Sequence, residues 1–133
     1  FPVPGMIMRQ WTEEPFPSEL IEVRDCYSRA LLAARSARRK TADSGIDYVD
    51  YWVGRLEFGI GYLKAAELVR DAASADAAGR RDDALGAVNA ALALARSAIE
   101  SQVKVSRDQS DRGAAAVLNE HVYRPLRSKL EDL

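Results

Sequence analysis

"AAELVRDAASADAAGRRDDALGAVNAALALARS" (65–97) reads as two helices and the turn that joins them. After Asp83, the residues Ala84, Val88, Ala91, Ala95 and Ala98 recur at spacings of three and four. That spacing puts them on one face of a helix as a stripe of small side chains, beside Leu85, Leu92 and Ile99. Before the turn, Ala66 and Ala73 continue a heptad-like seam of Trp52, Leu56, Gly59 and Leu63, flanked by Tyr51, Phe58, Tyr62, Ala65, Val69 and Ala72. Gly79 is the natural C-cap between the two, and Asp82 or Asp83 opens the second. The expected spans, about 46–77 and 82–108, are each roughly 40–50 Å long at ~1.5 Å per residue. A turn this tight makes them an antiparallel hairpin.

Outward from the hairpin the pattern stays helical. Leu20, Val23, Tyr27, Leu31, Ala34 and Ala37 mark a helix over about 18–40, with Ser18 as N-cap and Glu19 and Glu22 in a first turn that favours acids. "TADSG" (41–45) breaks it, and Ser44 with Asp47 three residues on suggests a capping box for the next helix. "SDRG" (110–113) is the last break, with Ser110 or Asp111 as N-cap of a helix over about 111–132 that carries Val117, Leu118, Val122, Leu126 and Leu130. Pro125 removes a backbone donor there and is expected to kink or divide that helix. Four of the five prolines crowd "FPVPGMIMRQWTEEPFP" (1–17), which reads as an extended proline and aromatic arm arriving from a preceding domain. The expected fold is all-α: an up-down-up-down bundle over 18–133, with a long central hairpin and this N-terminal arm. A tetratricopeptide array has a similar small-residue rhythm, but its unit of ~34 residues must recur, and here the rhythm occurs once.

Bulk numbers narrow the function. The 133 residues fit one domain with a real core. Lys plus Arg total 19 against 20 for Asp plus Glu, so a net charge of −1 argues against a nucleic-acid partner. The basic cluster "RSARRK" (35–40) sits where a helix ends and complements its dipole. A single cysteine forbids an internal disulfide. No apolar run approaches the roughly 20 residues a membrane span needs, so no membrane partner is expected. The opening stretch has no signal-peptide pattern, and the compartment stays open.

The chemistry-bearing residues are few. One histidine, His121, stands beside Glu120 as "EH", not as the Glu-x-x-His pairs of carboxylate di-metal bundles. With one cysteine besides, a His and Cys zinc site cannot be assembled. Cys26 in "VRDCYS" reads as inert packing, and His121 falls on the edge of an apolar face as a packing histidine. "GRLEFGIG" (54–61) has three glycines but no phosphate-loop lysine, and close approach by another helix is the expected compensation for them. No catalytic, cofactor-binding or metal residue is therefore expected. The remaining candidate is the band Tyr48, Tyr51, Trp52, Arg55, Glu57, Phe58 and Tyr62. It is either an aromatic bundle end with a paired, part-buried arginine, or a face that docks a neighbouring domain or stacks on sugar. Arg55 is expected to lie across an aromatic ring or to pair with a carboxylate.

"YWVGRLEFGIGYL" (51–63), the alanine-rich hairpin and "RDQSDRGAAAVLNEHVYRPL" (107–126), in that order, resemble the C-terminal helical region of large bacterial glycoside-hydrolase-like proteins of the alpha-glucuronidase-like and hexosaminidase-like group. The resemblance covers about residues 45–133 and is one of texture and order. In such enzymes the acid and base carboxylates sit on a barrel domain, so no catalytic residue carries over. It implies a non-catalytic accessory domain, packed on the preceding domain of a secreted or periplasmic parent that meets carbohydrate. The alternative is an autonomous module that dimerises, or binds a partner helix, along the alanine-rich stripe.

Overall fold

A computed structural model describes residues 6–104, 116 and 118–133. The chain is all-α, with no strand among the described residues. In order, a 3-10 turn (Met6–Gln10) precedes α1 (Ser18–Lys40), α2 (Asp43–Ala77) and α3 (Arg81–Lys104). A π-helical turn (Asn119–Tyr123) then runs into α4 (Arg124–Asp132). The expected stretch 105–108 of the third helix and the start of the fourth, with Ser110, Asp111 and Val117, lie outside the described residues, as do residues 1–5 of the arm.

The turn between α2 and α3 is a full Schellman motif. Gly79 has φ of 76°, its N–H donates to Asp76 O (3.0 Å), and Arg80 N–H reaches back to Ala75 O (2.9 Å). These bonds satisfy carbonyls that the end of α2 would otherwise leave open. No atom lies within 4 Å of an added Cβ at Gly79, so a substitution there meets conformational strain alone. Gly79→Ala is expected to cost about 1 kcal/mol, the left-handed penalty less the entropy lost from the unfolded chain. Denaturant unfolding measures it, and no loss would mean that the turn relaxes.

Beyond the turn, α2 and α3 pack along most of their described lengths. The whole expected stripe of α3 is buried: Ala84, Val88 and Ala91 at 0 %, Ala95 at 2 % and Ala98 at 4 % exposure. Small side chains bring the backbones close, and Gly61 shows how close. A Cβ there would stand 3.0 Å from Ala98 Cβ and 3.5 Å from Leu94 O. Gly59, one turn-face away, lies against the Tyr27 ring of α1 at 3.0 Å from an added Cβ. Two of the three glycines thus admit neighbours on two faces, which offsets their poor helix propensity.

The core joins α2 and α3 to the 3-10 turn of the arm and to the last helix. Ile7 of the 3-10 turn, Ala65, Ala66 and Val69 of α2, Ala91 and Ala95 of α3, and Leu118, Val122 and Leu126 form one buried cluster. The arm is therefore not extended throughout, because residues 5–14 hold no proline and are free to coil. Its turn lets Ile7 reach 0 % exposure, and Arg70 of α2 fastens the remainder of the arm up to Phe16. Arg70 donates to Gln10 Oε1 (2.8 Å), Glu14 O (3.1 Å) and Pro15 O (2.9 Å), with its guanidinium 5.9 Å from the Phe16 ring centre. Lys129 of α4 sits 4.3 Å over Trp11. These described residues of the arm pack on their own chain.

α1 stands outside that cluster. Among the described residues it touches α2 alone, and Leu31 is its one buried side chain. Three interhelical pairs fix the register: Arg24 with Glu67, Arg35 with Glu57 (3.1 Å) and Arg38 with Asp50 (2.6 Å). Pairs this exposed set alignment more than they add stability. Two expected caps are not the ones used. Pro17, not Ser18, is the capping position, and its carbonyl takes the N–H groups of Leu20 and Ile21. α2 starts at Asp43 behind Ala42 with no side-chain cap, so Ser44 lies inside the first turn and forms no capping box. Thr41 folds back instead to donate to Ala37 O (2.6 Å), which leaves room for only a two-residue link.

Pro125 neither breaks nor divides the last helix. Backbone angles stay helical through Leu118, Tyr123 and Arg124, and Arg124 N–H bonds Asn119 O five residues back. The wide π turn makes room for the proline ring and spares the donor it lacks.

Candidate functional site

The band on α2 divides between two sides of the helix. At 100° per residue, positions 48, 51, 52, 55, 58 and 62 share one half of the helix and position 57 lies across from them. Phe58 and Tyr62 are half-buried, stacked with ring centres 6.2 Å apart, and packed against the core. Burial pushes the Tyr62 hydroxyl pKa up, so it stays a neutral phenol. One to three turns earlier the same side opens to solvent. Tyr48 is 64 % exposed and Trp52 45 %, against the expectation that Trp52 lies in the seam.

The rings there are ordered by one another. Trp52 meets Tyr48 edge to face at 6.4 Å and Tyr51 at 5.9 Å. Arg55 donates from Nη1 to Tyr51 Oη at 2.8 Å, its guanidinium 5.4 Å from the Tyr51 ring centre. Its partner is thus an aromatic ring, as expected, but the side chain is exposed and not part-buried. An exposed guanidinium keeps its hydration, so the cost of an isolated buried charge does not arise.

Glu57 serves a different purpose. Arg35 of α1 bonds its Oε1 (3.1 Å) and the Ser101 hydroxyl of α3 donates to its Oε2 (3.1 Å). One carboxylate therefore joins three helices. It borders a groove of about 260 Å³ between α1 and α3, floored by Ile60, Gly61 and Ala98 and edged by Lys64. Both carboxylate oxygens are engaged, and the exposed Lys64 stands two turns further along the same face of α2. Two turns beyond Lys64 on α2, Asp71 is held above the usual carboxylate range by burial and by the neighbouring Glu67.

His121 lies half-buried within the π turn, one residue before the core residue Val122. Glu120 beside it points away to pair with Arg124 (3.3 Å). Cys26 is exposed on α1, not buried in packing as its sequence context suggests, with Arg29 Nη2 3.2 Å from its sulfur. Among the described residues no group of three His, Cys, Asp or Glu side chains is placed to hold a metal, and no helix is long and apolar enough to cross a membrane. The residue that sequence reasoning passed over is Arg70, whose contacts with the arm span 55 to 60 positions and leave no local signal. No family model matches the chain, and no curated protein or solved structure is detectably similar to it.

Proposed function

We propose that the chain is a non-catalytic helical accessory domain, an up-down-up-down bundle that packs on a neighbouring catalytic domain of a larger carbohydrate-active protein. The observation that carries the docking role is the pair Tyr48 and Trp52, held edge to face and left open on a side of α2 whose other rings are packed. Exposed large aromatics are what interfaces use as anchors. The groups nearest to acid–base chemistry serve packing instead, Glu57 foremost. The carbohydrate context rests on the resemblance of the sequence alone.

The isolated chain is expected to show no turnover of aryl glycosides, and turnover would overturn the reading. Trp52→Ala is expected to change the melting of the isolated chain by less than about 1 kcal/mol, as surface substitutions do. In the parent protein the same change should loosen the domain contact or lower activity. A parent indifferent to it sinks the docking face.

The alternative, a module that binds along the alanine-rich stripe of α3, loses its surface, since α2 covers that stripe. An interaction role would have to use another face.

A further inference from the structure

α1 is the separable part of the fold. It is 23 residues long with Leu31 as its one buried side chain, and among the described residues it touches α2 alone. No residue of α1 belongs to the central cluster. Its hold on α2 consists of Leu31, the Tyr27 ring against Gly59, and the pairs Arg24 with Glu67, Arg35 with Glu57 and Arg38 with Asp50. Lifting α1 off α2 therefore leaves the packing of the central cluster intact.

The link between α1 and α2 is two residues, and both stand one rotation away from a helix. Thr41 has φ −87° and ψ 135°, and Ala42 has φ −64° and ψ 153°. Both φ values already lie in the helical range. Turning the two ψ angles to about −42° joins α1 and α2 into a single helix over 18–77. The break also has a local cost that joining removes. No side chain caps the start of α2, so it leaves open N–H groups that carbonyls of α1 would accept in the joined helix.

We propose that α1 exchanges between two copies of the chain: the link straightens, and α1 of each copy packs on α2 of the other. The contacts made within one chain have the symmetry that such an exchange needs. Arg38 with Asp50 is centred on position 44, Arg35 with Glu57 on 46, and Arg24 with Glu67 between 45 and 46. Two joined helices running antiparallel past each other near Gly45 therefore remake all three pairs on both sides of a two-fold axis. A glycine at the crossing admits close approach, as Gly61 does between α2 and α3. The groove beside Glu57 takes Leu31 and Arg35 from α1, so in the exchanged pair each groove is completed by the other chain. The closed form holds α1 near α2 at an effective concentration on the order of 1 mM, and exchange becomes populated as the protein approaches it. The docking role of Tyr48 and Trp52 does not depend on this exchange, and failure of the one leaves the other untouched.

Sedimentation equilibrium of the 133-residue chain, taken to about 1 mM, tests it. A monomer–dimer equilibrium is expected, with Kd roughly 0.1–1 mM. Ala42→Pro fits the closed link, where φ is −64° and Thr41 is extended, and it breaks the joined helix. That variant should melt no lower than the unsubstituted chain and stay monomeric throughout. Thr41→Ala favours the joined helix and removes the hydroxyl bond to Ala37 O, so it should lower Kd about tenfold. A pair of charge-reversed chains tests the exchange itself. Arg24→Glu with Arg38→Glu in one chain, and Asp50→Arg with Glu67→Arg in another, set like charges together in each chain alone. Exchange between the two sets opposite charges together on both sides. Mixing them should give a heterodimer at least about tenfold tighter than either chain forms with itself. An unsubstituted chain that stays monomeric at about 1 mM, a dimer that survives Ala42→Pro, or a mixture without heterodimer would each overturn the proposal.

Discussion

Ile7→Ala is expected to lower stability by about 2–5 kcal/mol, among the largest losses any single truncation in this chain should give. Ile7 is fully buried and touches the cluster that holds α2, α3 and α4 together. Removing its side chain forfeits the transfer free energy of the lost groups and leaves a void at a three-way junction. The void cannot easily close, because Arg70 anchors the arm at Gln10, Glu14 and Pro15 and stops it sliding inward. For a chain of this length each kcal/mol lowers Tm by roughly 3–5 °C, so thermal and urea unfolding both resolve the effect. A loss below about 1 kcal/mol would mean that the arm is a detachable connector, and residues 6–17 would have to be removed from the domain. Met8, only half-buried in the same turn, should lose less when truncated.

That expectation could not have come from the sequence, for a physical reason. Four prolines at positions 2, 4, 15 and 17 suggest an extended arm. The stretch between them has ordinary propensities, and only the apolar surface of α2 and α4 decides that it coils. Local signals fared best where one physical cause acted alone. Gly79 is the sole residue near the turn that takes a left-handed φ without penalty, and the alanines of α3 have no reason to recur at three and four except close packing. Aromatic residues are ambiguous by comparison. Phe58 and Tyr62 pack on the core while Tyr48 and Trp52, on the same side of the same helix, do not. Their periodicity is identical, and what differs is whether another element lies over them. Glu57 shows the same limit for polar residues. Its spacing placed it in an aromatic band, yet its partners come from α1 and α3, 22 and 44 positions away.

The register of α3 gives the last expectation its sharpness. Ala91 is fully buried in the central cluster, with Ala65, Ala66 and Val69 on one side and Leu118 and Val122 belonging to the other. Ala91→Leu adds three carbon atoms, which would be worth about 2 kcal/mol if they entered free apolar space. The groove beside Glu57 offers none, since it lies on the opposite side of α2, at Ile60 and Gly61. The added atoms must force α2 and the last helix apart or leave their rotamer wells, and the expected net cost is roughly 1–3 kcal/mol. Ala93→Leu supplies the comparison. It changes the same helix by the same atoms, but Ala93 is exposed, so the change should stay within about 0.5 kcal/mol. Two residues along a helix is a rotation of about 200°, so the pair of variants reads the orientation of α3 directly. Equal effects would mean a loosely packed seam. A larger loss at Ala93 than at Ala91 would mean that α3 presents its other face to α2, and the small-residue seam would have to be given up.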